Sequence, residues 1–498
     1  MPRFTELAPR IHTKPIKLVS LGLPFNIRSS RLQFRGALLR KMDRPKQDSK
    51  VADSHLSLPL SLPLTEFTNK VLVGLFDALP PELVIRILEE ARTQSASRPA
   101  NVCILFPLRF LRVCRRWRSI IFAAPNLWKD VNIPGTRCIR SLEATRLFVE
   151  LSRPYPMTLT WHHRPWNHDF VVQHVLRPGS DRWHTISIAG STFNSRDSLS
   201  TILPNLSLPS LQSFRCEVLQ SHTAFHADTV PEVTINAPKL RYWASVNCLL
   251  PSAHSLICLA TLDIIISGPS KCLSVDRFLA LLRATSRTLR HLKLVARDPP
   301  FDDRMLGVPR IRLPKLDVLE LHNSADLLRR VIAPNLRTLC LHGDKETTAI
   351  PFSTLLEPTL IHLKLSMLSL HHLEDDPDFS FHFAALETIT LFSCKGTASV
   401  FSHAVPRRPG YLPFASLRSI TISDTEAMSS IRFMLERLKI SNPDLSSLEI
   451  LRLVYRDGSA PKSCDVEWIV AQGIEFFGGR ELGEPWSDTA FGDVWAVL

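Results

Sequence analysis

The sequence predicts an α/β protein, a small three-helix module followed by an irregular repeat array on a parallel sheet. Two observations carry this. A six-residue frame with Leu-x-x-Leu-x-Leu at its apolar positions recurs ten times between Leu211 and Leu453. The connections between copies hold helix-like stretches such as Val275–Ala284 and Met428–Leu438, so strands alternate with helices or loops. Between Leu79 and Val131, by contrast, apolar residues recur every three or four positions, the period of short packed helices.

The first helix starts near Leu79. Asp77 can cap it, Pro81 suits its first turn, and Glu82 complements the positive end of its dipole. Leu83, Ile87 and Ala91, with Val84 and Leu88 beside them, give one apolar face. Thr93 to Ala100 is a polar loop. A second helical pattern spaces Leu108, Leu111, Cys114, Trp117 and Ile120 or Ile121 by three or four, among Arg109, Arg112, Arg115, Arg116 and Arg118. Pro125 restarts the chain, and Leu127, Trp128 and Val131 form a short third face.

The order LPPEL, a loop, LRVCRRWRSII and APNLW resembles the F-box, in the version with a long first loop seen in many proteins of mushroom-forming fungi. Leu79–Pro80, Glu82–Leu83, Val113–Cys114, Arg116–Trp117–Arg118 and Pro125–Leu127–Trp128 fall where that motif has them. The resemblance implies a docking module for the Skp adaptor of cullin ubiquitin ligases, with no residue that does chemistry. On it, Leu79, Pro80, Leu83, Ile87, Leu111, Val113, Cys114, Trp117 and Ile120 supply the adaptor contact or its immediate support. Spacing alone does not divide these into outward and core residues.

Four segments follow from the composition. Residues 1–70 read as a disordered basic arm. Its first 50 residues hold 12 Lys and Arg against three acids, a local +9 that leaves only +4 of the net +13 for the rest. Basicity thus sits in the arm and not on a folded nucleic-acid face, so nucleic acid is not an expected partner. An Arg-rich, acid-poor arm is also compatible with a mitochondrial presequence. Residues 71–135 form the F-box-like unit. Residues 136–205 read as a linker with a helix at Leu142–Leu151 and first strands at Met157–Trp161 and around Ile186 and Ile188.

Residues 206–498 carry the repeats. Copies begin at Leu211, Leu240, Leu259, Leu289, Leu316, Leu336, Leu360, Leu386, Leu417 and Leu448, at intervals of 19 to 31 residues, close to those of leucine-rich repeats and their irregular relatives. Pro209, Pro238, Pro314, Pro334 and Pro358 stand two residues before half of them. The Asn expected after the third Leu is missing from nearly all copies, with Asn323 a partial exception, so an irregular solenoid is expected. Val454–Leu498 shows no further copy, and Trp468, Phe476, Phe477 and Trp495 are expected to cap the last one.

In such an array the leucines point inward and alternating residues face the concave side. The alternation exposes His291, Lys293, Glu320, His322, His342, His362, Lys364 and Arg452, a mixed and near-neutral surface with a His-rich middle. It suits a protein target better than phosphate, which would need a Lys/Arg stripe. His322 and His342 should sit side by side on neighbouring strands and titrate below the usual histidine value.

No P-loop, GxGxxG, GxSxG, HExxH or paired metal-binding cysteines occur, and no cofactor is implied. His162, His163 and His168 read as exposed polar residues. His222 and His226, four apart with Asp228 nearby, permit a helical metal site on a segment with poor helix signals. The ten cysteines are scattered, as for free thiols in a reducing compartment, and no apolar run is long enough for a membrane span. The expected function is therefore a non-catalytic substrate receptor of a Skp–cullin–F-box ligase, in cytoplasm or nucleus, holding a protein target. The alternative is an interaction scaffold that keeps an F-box-like fold without ligase assembly.

Overall fold

The computed structural model describes residues 79–96, 106–135, 139–190, 203–218, 232–247, 250–252, 256–266, 274–296, 309–343, 359–371, 383, 385–397, 399–402, 414–423, 428–441, 448–455 and 462–480. The arm, Asp77, the His222 and His226 pair, and Trp495 lie outside them.

The described residues open on helix α1, Pro81–Ala96, with Pro81 in its first turn and the Leu83 amide bonded to the Pro80 carbonyl at 3.1 Å. The second helical pattern is broken in two. Leu108–Arg112 is a 3-10 turn, and α2 runs Arg115–Ala123. Cys114 between them is extended, and its Sγ accepts from the Trp117 amide at 3.4 Å, capping α2. Pro125–Trp128 is a further 3-10 turn, and α3 spans Ile139–Leu151.

A single parallel sheet of 14 strands, taken in chain order, fills the rest. It starts earlier than expected, at β1 (Asp130–Ile133), where only an apolar face was read. It continues through β2 (Met157–His163) and β3 (Trp183–Gly190), both in the segment read as a linker, with short α4 (His168–Val171) between them. Every repeat copy then supplies one strand, beginning two residues after its first Leu. These are β4 (Ser213–Val218), β6 (Tyr242–Val246), β8 (Thr261–Ile266), β9 (His291–Ala296), β11 (Val318–His322), β13 (Thr338–His342), β14 (His362–Ser366), β15 (Thr388–Phe392), β16 (Ser419–Ser423) and β17 (Ile450–Tyr455). A fourteenth strand, β18 (Glu475–Arg480), follows where no copy was expected. Its inward places go to Phe476 and Gly478, opposite Leu451 and Leu453. Four two-residue strands, β5 (Glu232–Val233) with β7 (Leu250–Pro251) and β10 (Ile311–Arg312) with β12 (Val331–Ile332), make two small parallel pairs in the connections. Helices α5 (Val275–Thr285), α6 (Ser399–Ser402), α7 (Met428–Ser441) and α8 (Ser463–Ala471) complete the described α-helices.

The same local chemistry introduces most of the repeat strands. The first Leu of a copy closes a turn, its amide bonding the carbonyl three residues back at Leu211, Leu240, Leu259, Leu316, Leu336, Leu386 and Leu417. Pro209, Pro238, Pro314 and Pro334 take the second position of such turns, where a fixed φ is an advantage and no amide is needed. Asn247, Asn323, Met367 and Ser393 leave their strands in left-handed backbone. Their amides bond the next strand, as Asn323 does to His342 at 2.7 Å. Only the two asparagines take that conformation readily.

Parity builds the core. Leu292, Leu319, Leu339, Leu363, Ile389, Ile420 and Leu451 are register partners from strand to strand. Leu294, Leu321, Leu341, Leu365, Leu391, Ile422 and Leu453 form a second such row, and both rows are buried. The helical unit joins this core through Trp128, whose indole donates to the Ile121 carbonyl at 2.9 Å and meets Phe148 of α3 edge-on at 5.0 Å. The Arg92 side chain pairs with Asp130 of β1. No helix among the described residues is long and apolar enough to cross a membrane.

Leu339→Ala should cost about 2–5 kcal/mol, the range for truncating a buried leucine. Leu339→Asp should abolish the folded state, because a charge there has no partner. Thr390→Ala on the opposite parity should stay within about 0.5 kcal/mol of wild type. Urea denaturation followed by circular dichroism separates the three, and equal losses at 339 and 390 would contradict the facing.

Candidate functional site

Two surfaces gather the residues singled out in the sequence. On the helical unit, the face of α1 that packs inward is Val84 and Leu88, both fully buried. Leu83 is instead 45% exposed and Ile87 half-buried, so the apolar face is split between core and surface. Val113, in the break before α2, is 52% exposed. Leu79, Leu111 and Cys114 are half-buried and Pro80 is exposed. Trp117 and Ile120 are core, with Phe110 against the Trp117 ring at 6.3 Å. The Arg116 guanidinium donates to the Leu79 carbonyl at 2.5 Å, and Arg118 Nε donates to the Leu111 carbonyl at 3.0 Å. The first bond holds the start of α1 beside the start of α2. Of the nine residues, two are therefore structural and seven reach the surface.

The second surface is the polar parity of the sheet. Register aligns His291 with Val318, Lys293 with Glu320, and His322 with His342. Lys364 follows in the Lys293 row, and His362 lies in the row of His291. The expected side-by-side histidines are present, their rings stacked 5.0 Å apart. His342 Nδ1 lies 2.8 Å from the Ser366 hydroxyl, and His362 Nδ1 lies 2.8 Å from that of Thr388.

The middle of this face is closed, contrary to the open surface expected. Lys293 and His322 are buried, as is Cys340 between them and Lys364. Lys293 Nζ is 3.4 Å and His291 Nε2 3.3 Å from the two Glu320 oxygens. Two residues not anticipated extend this knot, for the Tyr242 hydroxyl donates to Asp263 Oδ2 at 2.8 Å. Asp263 is the register partner of Lys293. Both occupy outward places in their copies, a signal that neighbour-by-neighbour alignment of the repeats would have caught.

These contacts set the charges. Burial alone would raise the Glu320 carboxyl, but His291 and Lys293 outweigh it and bring it down to about 2. Burial likewise works against a charged His291, yet contact with Glu320 and the charge of Asp263 hold it above the usual range. For Asp263 burial wins and pushes the carboxyl up, despite the Tyr242 hydroxyl and two nearby cations. His322 is pushed down to about 3 by burial, then by His342 and Lys293. His342 is lowered by burial. Burial and the Glu320 charge push the Cys340 thiol up to about 12, so it is no thiolate nucleophile at neutral pH.

His163 is a further correction. It was read as exposed with His162 and His168, but it continues the inward row of Met157, Leu159 and Trp161 and is buried. Its Nε2 lies 3.0 Å from His168 Nδ1, and burial, His168 and Arg164 lower it to about 4. Among the described residues no group of three His, Cys, Asp or Glu is placed to hold a metal.

No protein-family model matches the sequence, and no curated protein matches it either.

Glu320 was expected on an exposed face. With its side chain 13% exposed against a 7% exposed Lys293, Glu320→Ala should instead cost on the order of 3 kcal/mol, since it leaves buried positive charge behind. A loss below about 0.5 kcal/mol in urea denaturation would refute this role.

Stability should also fall in mild acid. Below about pH 6.5 the unfolded chain takes up protons that folded His163 and His322 refuse until about 4 and about 3. His291, shifted the other way, contributes fully in this range and loses its contribution as pH rises through its folded value. The Glu320 contribution is retained above about pH 4.3. His322→Gln should therefore flatten the fall of the urea midpoint between pH 6.5 and 5. An unchanged slope would remove His322 from the account.

Proposed function

We propose that the protein is a non-catalytic substrate-receptor subunit of a Skp–cullin–F-box ubiquitin ligase. The observation that carries the reading is the exposure of Leu83 and Val113, at 45% and 52%, at two positions of the F-box resemblance. Large apolar side chains are mostly inside proteins, and a pair left outside on docking elements suits a partner. Pro80, Leu79, Ile87, Leu111 and Cys114 surround them in sequence and reach the surface in part. Trp117 and Ile120 support the module from within.

The mechanism is tethering. The module docks the Skp adaptor and through it a cullin. The sheet, read as an irregular leucine-rich-repeat-like solenoid, holds a protein target, and the target's lysines meet the charged conjugating enzyme at raised effective concentration. Cytoplasm or nucleus suits such a ligase, as do the free cysteines of the described residues. On the target face, His291, His342, His362, Lys364 and Arg452 reach the surface at least in part, while Glu320, Lys293 and His322 hold the face in shape.

The test is co-purification of the full chain with a Skp adaptor. Leu83→Asp with Val113→Asp should abolish capture without changing the thermal melt, since two interface anchors are worth about 4 kcal/mol together. Trp117→Ala should lower the melting temperature as a core truncation of about 3–5 kcal/mol. Capture that survives the double substitution would overturn the docking assignment. No capture by the wild type would overturn the ligase reading and favour the scaffold without ligase assembly.

A further inference from the structure

The edge of the sheet at which strands begin belongs to neither surface above. One residue precedes each strand there, and these residues are bonded in a line. The Ala260 amide donates to the Arg241 carbonyl, Arg290 to Ala260, Asp317 to Arg290 and Arg337 to Asp317, at 2.8–2.9 Å. Arg241, Arg290 and Arg337 therefore stand on every second strand, before β6, β9 and β13. All three are exposed. The turns before β6, β9 and β11 add Lys239, Arg287 and Lys315, also exposed. Six cations against the half-buried Asp317 make a local +5 (6 − 1), whereas residues 51–498 together sum to only +4 (13 − 9). No ion pair joins any of the six to a described carboxylate.

The turn before β8 differs in kind. The Leu259 amide closes it on the Leu256 carbonyl, so Ile257 takes the place that Pro238, Pro314 and Pro334 have in the turns before β6, β11 and β13. Proline suits that place better. Ile257 is 79% exposed, the highest value of any large apolar side chain among the described residues, and so contributes almost no burial to the fold. The rim thus sets an aliphatic side chain between the strands of Arg241 and Arg290.

We infer that this rim binds an extended target segment with an acidic residue at every third position and an aliphatic one between two of them. The inference rests on the receptor reading for the source of the segment and names its chemistry. Strands lie about 4.8 Å apart, so successive arginines are about 10 Å apart, and an extended chain advances about 3.3 Å per residue. Three residues match one interval. Carboxylates then meet the guanidiniums, whose planar fork suits them, and the aliphatic residue covers Ile257. Asp317, between the second and third arginines, works against a closer spacing of acids. Single-stranded nucleic acid fits less well. Its continuous phosphates would meet Asp317, and its bases would find Ile257 where stacking needs an aromatic ring.

The probe is a fluorescein-labelled ten-residue serine peptide with aspartates at positions three, six and nine and leucines at four and eight. Its symmetry brings a leucine to Ile257 in either chain direction. It is titrated with the full chain and read by anisotropy, beside versions with Asn for Asp, with Ser for Leu, and with the aspartates two apart. The parent peptide should bind best and weaken as salt rises. Arg241→Gln with Arg290→Gln should weaken it roughly tenfold, as two surface charge pairs allow. Ile257→Ser should weaken the leucine peptide severalfold and leave the serine version unchanged, which isolates the apolar contact. The thermal melts of these exposed-site variants should match wild type, and Arg337→Gln repeats the charge test if the pair melts early. Equal binding of the Asn peptide, or unchanged binding by the arginine variants, would overturn the inference. So would tighter binding of an oligothymidylate of similar length at the same salt.

The chain carries its own acids near this rim in sequence, Asp298, Asp302 and Asp303, outside the described residues. Peptide binding that appears only once these are Asn would assign the rim to that segment and overturn its assignment to a target. Adaptor capture is measured separately, so a chain that binds the peptide without the adaptor loses the ligase reading alone.

Discussion

Everything in this structure depends on keeping fourteen parallel strands in one register. A one-residue slip in any strand would exchange its two faces, carrying leucines to the surface and polar side chains into the core. The chain opposes this at the ends of several strands. Proline-aided turns fix four of the entries, and left-handed residues bonded to the next strand fix four of the exits. Between them the leucine rows bury apolar area that no single copy could hide by itself.

The same register governs the polar face. Residues far apart in sequence become direct neighbours wherever they share a position in the frame. Glu320 meets Lys293, and His322 meets His342, for no other reason. In the middle of the sheet this proximity is combined with burial, which makes the charge pattern a matter of stability. Further along, the same positions are hydroxyl-bearing and more open.

Much of this was legible in the chain. The ten copies became ten strands because period-two alternation between leucines leaves little other way to bury them. The pair of stacked histidines followed from counting positions. What escaped has identifiable causes. β18 carries Phe476 and Gly478 where the frame has leucines, so its pattern was hidden. His163 looked polar and therefore exposed, but parity placed it inward with Trp161. The pattern through Leu111 and Trp117 kept a helical period although Cys114 interrupts the helix, because spacing does not register a cap. The face of α1 was assigned as one stripe, while packing against α2 and the turn at Trp128 selected Val84 and Leu88 and left Leu83 outside. Tyr242 and Asp263 went unnoticed because each copy was read alone.

The attachment of the helical unit to the sheet has a further consequence. Trp128 packs on Phe148, and Arg92 reaches Asp130 on the first strand. An array of this kind has two ends, and each exposes a flank that another chain could extend. Here these contacts tie the helical unit to the beginning of the array. The helical unit is therefore not a detachable cassette. A chain shortened before Asp130 would lose the helical unit and the contacts that anchor the first strand together, which ties the inheritance of one part to that of the other.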